Sequence, residues 1–262
     1  MSILKRLRVL RSGIRGVVAS ALRDTANRVD RKPTPDRSET KPANEFLSWI
    51  RFAVPGMLAR GNVDAMEYAV ANMPPDEPIL EIGSFCGLST VVLAYLLDKR
   101  SKTVPIYTCD QWEFEGQQLG APLGDSPSVT HDVYREYVRN TFLRTMHTFA
   151  ANRLPHTIEC LSDEFFRRWF NNEKTVDVFD RPVTLGGKIG FCYIDGNHTY
   201  EFAKRDFENT DRALVSGGFI LFDDSADGSL WEVNRLTRDL AAGHHYELVS
   251  KNPNYLFRKG SK

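Results

Sequence analysis

Cysteine is scarce in this chain of 262 residues. Its four copies, Cys86, Cys109, Cys160 and Cys192, lie far apart, and no pair has the C-x-x-C spacing of a zinc site. Each falls in or beside a stretch that reads as a strand, so the expectation is buried, reduced thiols in a cytoplasmic protein. Long apolar runs are missing too. None approaches the roughly 20 residues that span a bilayer, and Arg11 and Arg15 interrupt the region that a secretory signal would need to be apolar. Net charge is absent, with 34 Lys/Arg against 34 Asp/Glu. No aromatic interleaving or base-reading module accompanies the basic residues, which argues against a nucleic-acid partner. There is no internal repeat and no low-complexity segment.

The zero net charge hides an asymmetry. Residues 1–32 hold nine Lys/Arg and two Asp, leaving 25 Lys/Arg and 32 Asp/Glu for the rest. A basic arm is thus joined to an acidic body. Within the arm Ile3, Leu7, Leu10, Ile14, Val17 and Ala21 form one apolar helical stripe, weakened by Gly13 and Gly16. Packing on a partner subunit or on the chain's own body fits that stripe, with a homodimer favoured. Peripheral contact with a membrane surface through residues 1–32 is a second reading. A polar linker follows, so the expected organisation is arm and linker over 1–44 and one α/β domain over 45–262.

From Glu45 onward strands and helices alternate. One or two helices around 45–73 lead to a strand at Ile79–Gly83 and a helix at Leu88–Lys99. A strand at Ile106–Asp110, a long polar loop and a helix around Val133–Asn152 come next. Then follow a strand at Thr157–Leu161, a short helix around Glu164–Asn171, a strand at Gly190–Asp195 and a helix at Tyr200–Val215. A strand at Phe219–Asp223, a helix around Leu230–Ala242 and a terminal hairpin (Tyr246–Ser250, Tyr255–Arg258) close the chain. This predicts a Rossmann-like, doubly wound, mostly parallel seven-stranded sheet with an antiparallel C-terminal hairpin and helices on both faces.

The stretch Glu81-Ile-Gly83-Ser-Phe85-Cys-Gly87-Leu-Ser89 reads as a strand end, a glycine turn and a helix start. That geometry aims backbone N–H groups and a helix N-terminus at a ligand. Gly83 permits the sharp turn, and Gly87 is expected to spare a ligand lying over the loop a clash with a Cβ. Ser89 offers a hydroxyl and a cap. The dinucleotide fingerprint needs G-x-G-x-x-G, whereas this loop is E-x-G-x-x-x-G. It favours a cofactor with a polar amino-acid tail and one nucleoside over a pyrophosphate.

Ligands of open α/β sheets bind beyond the carboxyl ends of the strands. Here those ends carry Glu81 and Gly83; Asp110, placed for the hydroxyls of a ribose; Ser162-Asp163; Asp195-Gly-Asn-His198; and Asp223-Asp224. Asp195, Asp223 and Asp224 would meet at one edge and repel one another. A hard divalent cation with oxygen ligands, Mg²⁺, resolves that repulsion, although Asp195 and Asp224 also suit helix caps or turns. His198, three residues after Asp195, is placed as a general base.

These motifs resemble those of class I S-adenosylmethionine-dependent methyltransferases, closest to the metal-dependent O-methyltransferases of the catechol type. Tyr193-Ile-Asp195-Gly-Asn-His198-Thr-Tyr200 and Phe219-Ile-Leu-Phe-Asp223-Asp224 also resemble the macrocin-type sugar O-methyltransferases. The resemblance covers roughly residues 60–258. It implies that Glu81, Gly83, Phe85, Gly87 and Ser89 form the cofactor loop, with Gly83, Phe85 and Ser89 holding the methionine part of S-adenosylmethionine. Asp110 would then bind the ribose and Gln111 would lie beside the adenine, with Ser162 and Asp163 at its edge. Asp195, Asp223 and Asp224 would ligate Mg²⁺. Two departures stand out: catechol-type enzymes have Lys where this chain has His198, and Asn where it has Asp224.

The implied reaction is methyl transfer to a hydroxyl of a small acceptor, a sugar or glycosylated natural product first and a phenolic diol second. His198 or Asp195 would take the proton. The loop Trp112–Asp132 reads as a lid ordered on binding, with His131, Tyr134 and Trp231 near the acceptor and His244 and His245 on the surface. A non-catalytic cofactor-binding partner of a glycosyltransferase and an NAD-dependent oxidoreductase are the alternatives. The missing middle glycine and the acidic cluster argue against the second.

Overall fold

Strong apolar strands separated by amphipathic helices build one layered α/β unit, seen in a computed structural model that describes residues 44–114 and 118–260. The apolar stripe of 3–22, almost all of the linker and Gly116 of the long loop lie outside the described residues. Helices α1 (Glu45–Ala53) and α2 (Arg60–Asn72) precede β1 (Ile79–Ile82), α3 (Leu88–Lys99) and β2 (Ile106–Cys109). Then come α4 (His131–Phe149), β3 (His156–Ile158), α5 (Ser162–Phe170), β4 (Lys174–Val176) and β5 (Pro182–Thr184). The chain continues through β6 (Ile189–Ile194), α6 (Tyr200–Ala213), β7 (Leu214–Phe222), α7 (Val233–Ala242), β8 (Tyr246–Lys251) and β9 (Tyr255–Lys259).

The main sheet has seven strands in the order β3-β2-β1-β6-β7-β9-β8. The first five are parallel, while β9 runs antiparallel to both β7 and β8. This is the expected doubly wound architecture. Period-2 alternation divides the strand side chains between two cores. Ile79, Phe191, Tyr193, Phe219 and Leu221 pack with α1–α4. Leu80, Ile82, Cys192, Ile194, Ile220 and Phe222 pack with α5–α7. Every residue of β1 and β6 is buried, as central parallel strands require. All four cysteines are buried free thiols. Among the described residues no helix is long and apolar enough to cross a membrane.

Differences from expectation have local causes. Strand β3 stops at Ile158 because Cys160 N–H turns back onto the Ile158 carbonyl at 3.0 Å. Helix α6 ends before Val215, since Gly217 adopts φ +79° and the Gly217-Gly218 pair starts β7 early around a bulge. The small β4–β5 ribbon was not foreseen. Its turn is tied by buried Asp177, which accepts from the Phe179 and Arg181 amides at 2.9 and 3.1 Å and from the Arg181 guanidinium. Residues 118–131 of the long loop already carry their own hydrogen bonds, Leu123 N–H to Val129 O at 2.8 Å and His131 N–H to Ala121 O at 3.0 Å. That part of the loop is preformed.

Candidate active site

The glycine loop is locked to the strand beside it. Gly83 has φ +81°, and a Cβ there would lie 2.0 Å from the Asp195 carbonyl oxygen, so the turn leaving β1 runs directly against the end of β6. The loop closes with Gly87 N–H to Ser84 O at 2.7 Å. Asp110, the residue after β2, braces it from below: its carboxylate accepts from the Ser84, Phe85 and Trp112 amides at 2.7, 2.8 and 2.6 Å. Burial raises the Asp110 pKa, and those donors partly offset the rise. The carboxylate expected at the ribose is therefore first a support for the loop.

Two other loop residues act differently from their expected roles. A Cβ on Gly87 would meet Met146 Cε at 2.6 Å, so this glycine makes room for α4. Ser89 caps nothing. Its hydroxyl serves Glu81, as does that of Thr90 at 2.5 Å, while burial pushes the Glu81 carboxyl up to about 7.

Beyond the ends of β2 and β3 lies a cavity of about 450 Å³ lined by Gln111, Arg135, Glu159, Cys160, Leu161 and Glu164. Gln111, expected beside the adenine, is one of its lining residues. Ser162 and Asp163 instead face α6, with the Ser162 hydroxyl serving Asp206 and Asp163 beside Arg205 and Asn209. The short β3 causes this shift, because α5 begins at Ser162 and turns both side chains off the cavity.

On the other side of the glycine loop, Asp195, His198 and Asp224 come together, with one ligand atom of each within 4.8 Å of the others. His198 Nε2 lies 3.0 Å from Asp224 Oδ2 and 3.8 Å from Asp195 Oδ1. The two carboxylates push the imidazole pKa up to about 10, and burial pushes the Asp195 carboxyl up to about 8. Trp231 lies against the imidazole with ring centroids 4.8 Å apart. Asp223 stands outside this group. Its buried carboxylate accepts from Asn62 Nδ2 at 2.9 Å, Asn254 Nδ2 at 2.5 Å, the Asp224 amide at 2.8 Å and the Tyr193 hydroxyl. Four donors already reach it, and among the described residues the group close enough to share an ion is Asp195, His198 and Asp224, where three aspartates were expected.

Residues 80–225 match the family described as a methyltransferase domain, and this match takes in more than half of the chain. The chain belongs to this methyltransferase family. Solved methyltransferases share its fold. One is a Staphylococcus aureus protein named as a caffeoyl-CoA O-methyltransferase, with 16% identity, TM-score 0.53, and 83% of this chain and 93% of that one covered. Another is the S-adenosylhomocysteine-bound Podospora anserina methyltransferase PaMTH1, with 15% identity, TM-score 0.52, and 83% and 87% coverage. A curated relative, an uncharacterized protein (R132) of Acanthamoeba polyphaga mimivirus, is 27% identical over 113 residues, 39% of this chain. The chain spans about half the length of that relative.

Within this methyltransferase domain several supporting residues escape a sequence reading. Tyr193 was findable: two residues before Asp195 on a strand, it shares that residue's face. Its hydroxyl sits 3.3 Å from Asp195 as well as on Asp223. Asn62 and Asn254 reach Asp223 from α2 and the terminal hairpin, and nothing in the local sequence marks either.

Proposed function

We propose that the chain is an S-adenosylmethionine-dependent O-methyltransferase acting on a hydroxyl of a small molecule, a sugar or glycosylated natural product ahead of a phenolic diol. The observation that carries this reading is the contact between Gly83 and the Asp195 backbone. It sets the glycine loop and the Asp195–His198–Asp224 group side by side, so a cofactor held by the first would present its reactive end to the second. The cavity beyond β2 and β3 is of a size that small-molecule sites occupy, and Gln111, next to the Asp110 that braces the loop, lines it.

Two carboxylates and one imidazole, each about one-third exposed, also fit a divalent cation with positions left open for water and acceptor. Asp195, Asp224 and His198 would hold it. Bound S-adenosylmethionine supplies an electrophilic methyl group, and a bound cation supplies a Lewis acid that lowers the pKa of a hydroxyl.

The chain's own residues do the rest. Gly83 and the Asp110-braced loop fix the end of β1 relative to Asp195. For the methyl group to be accepted by a hydroxyl oxygen, the hydroxyl proton would have to leave. Asp195, whose carboxyl is pushed up to about 8 and so is a stronger base than an ordinary carboxylate, can receive that proton at Oδ1 or Oδ2 once it is ionised, a state that the neighbouring imidazolium favours. His198 accepts one at Nε2 only when its two carboxylate neighbours are neutralised, since their charge otherwise keeps the ring protonated. Trp231 offers an aromatic face beside His198 for a sugar or phenol ring.

Calorimetric titration of the protein with S-adenosylhomocysteine, with and without Mg²⁺ and with NAD⁺ as control, tests the reading. Micromolar binding of the thioether alone supports it. Preference for NAD⁺, or no thioether binding, removes it.

A further inference from the structure

The turn between β8 and β9 is bound to the segment that follows β7, and that segment carries Asp224. Asn254 Nδ2 donates to Asp223 Oδ1 at 2.5 Å and to Asn62 Oδ1 at 3.1 Å. The Tyr255 amide donates to the Ser225 hydroxyl at 2.9 Å, and that hydroxyl donates to the Phe222 carbonyl at 2.9 Å. The Tyr255 hydroxyl donates to Asp227 Oδ1 at 2.8 Å, and the Lys251 ammonium pairs with Asp227 Oδ2. Helix α2 presses on the same turn, since a Cβ on Gly61 would lie 1.6 Å from the Asn252 carbonyl oxygen. Asn254 and Tyr255 are both buried, so a hydrogen bond lost there is not replaced by water.

Asp224 depends on such support. Its φ of +51° places it in the left-handed region, which is uncommon for a residue with a Cβ and persists where the surroundings over-determine it. The determinants lie on both sides of it. Its own amide donates to Asp223 Oδ1 at 2.8 Å, the oxygen that Asn62 and Asn254 also hold. The next residue, Ser225, is pinned by the Tyr255 amide and by Asn234 Nδ2, which donates to its carbonyl at 2.8 Å. Held this way, the Asp224 carboxylate lies 3.0 Å from His198 Nε2. The Tyr193 hydroxyl joins Asp223 to Asp195 as well, at 3.3 Å from the latter.

We propose that Asn254 and Tyr255 are positioning residues for Asp224: the terminal hairpin fixes this carboxylate where the Asp195–His198–Asp224 group can share a divalent cation. The proposal rests on the cation reading given above. Asn254 acts through Asp223, and Tyr255 through Ser225 and Asp227. The physical ground is that a cation site needs its ligand atoms at set separations, and the groups that orient the ligands from behind govern affinity nearly as strongly as the ligands do. Asn254 stands 31 residues beyond Asp223 in the chain, outside every strand-end motif.

The test is Mn²⁺ binding to the full chain, read by electron paramagnetic resonance, for the wild type, Asp224→Ala, Asn254→Ala and Tyr255→Phe. Denaturant unfolding and S-adenosylhomocysteine titration accompany each. Wild-type binding that Asp224→Ala abolishes locates the cation. Asn254→Ala is then expected to weaken Mn²⁺ binding by about 10–100-fold, and Tyr255→Phe by at least about threefold. Thioether affinity should stay within about threefold of wild type, because the glycine loop is untouched. Tyr255→Phe removes one hydroxyl and keeps the ring, so it decides the matter if Asn254→Ala does not fold. A Mn²⁺ affinity less than about threefold below wild type in the folded hairpin variants overturns the positioning role, whatever their loss of stability. Parallel loss of Mn²⁺ and thioether affinity means general loosening and overturns it too. A wild type that binds no Mn²⁺, or binds it equally after Asp224→Ala, removes the cation reading, and this proposal with it.

Discussion

Asp110 and Asp195 occupy equivalent places, each the first residue beyond a parallel strand of the same sheet edge, yet their surroundings differ. Asp110 is met by three backbone amides, which bind the loop after β1 to the end of β2. Asp195 is met by side chains, the Tyr193 hydroxyl and the His198 imidazole, with Asp224 crowding the same space. A carboxylate held by backbone donors is structural support and loses stability when removed. One surrounded by titratable side chains keeps charge and proton in play, as chemistry requires. The same residue type thus does two jobs, decided by its donors.

Breaking the Asp195 side should give the largest effect. Once an acceptor is in hand, His198→Ala or Asp195→Asn is expected to lower kcat by roughly 10²–10⁴ while S-adenosylhomocysteine affinity stays within about threefold. Loss of thioether binding on the same scale as kcat would show that the cluster belongs to the cofactor. Breaking the Asp110 side should do the reverse. Asp110→Ala leaves three backbone amides without their acceptor and is expected to cost about 3 kcal/mol of unfolding free energy in denaturant, with thioether binding lost as the loop slackens. A stable variant that merely binds the ribose end less well would make Asp110 a ligand contact first.

How far each side could be read from sequence follows the same division. The alternation of seven strands with helices, the glycine loop and the row of polar strand ends are local signals of period and turn chemistry, and they were legible; the strand order was not. Asp195 with His198 three residues on is likewise a local pattern. What the sequence did not disclose depends on pairs far apart in the chain. Asn62 and Asn254 converge on Asp223 from separations of 161 and 31 residues, which turns a predicted metal ligand into a hydrogen-bonded hub. Arg135 reaches Glu159 across 24 residues. Ser162 and Asp163 were displaced by a subtler cause, the turn at Cys160 that ends β3 three residues earlier than its apolar pattern.

The comparison extends to acids that neither side uses. Burial pushes the Asp206 carboxyl up to about 7, with the Ser162 hydroxyl opposing the rise. Between the ordinary carboxylate range near 4 and about 7, the folded chain therefore keeps a proton that the unfolded chain has released. Stability must fall as pH rises through that window and level off above it. Glu81 adds a slope of the same sign. Asp206→Asn should remove its own share, leaving the protein near wild type at pH 4 and about 4 kcal/mol more stable at pH 8. Denaturant titrations at the two values read this directly, and parallel pH profiles for wild type and variant would show that Asp206 ionises normally.

Gly87 provides the smallest and sharpest cut between support and ligand contact. Its φ of +91° and the Met146 methyl 2.6 Å from where a Cβ would sit both resist a side chain. Gly87→Ala should thus cost about 1–2 kcal/mol of stability, combining backbone strain with overpacking against α4. The Cβ points into protein, so S-adenosylhomocysteine affinity in the folded variant should change by less than about threefold. If the alanine instead costs affinity and spares stability, the space above Gly87 belongs to the cofactor. The loop would then share the ligand-facing character now assigned to the Asp195 side, and the contrast between the two strand ends would narrow to Asp110 alone.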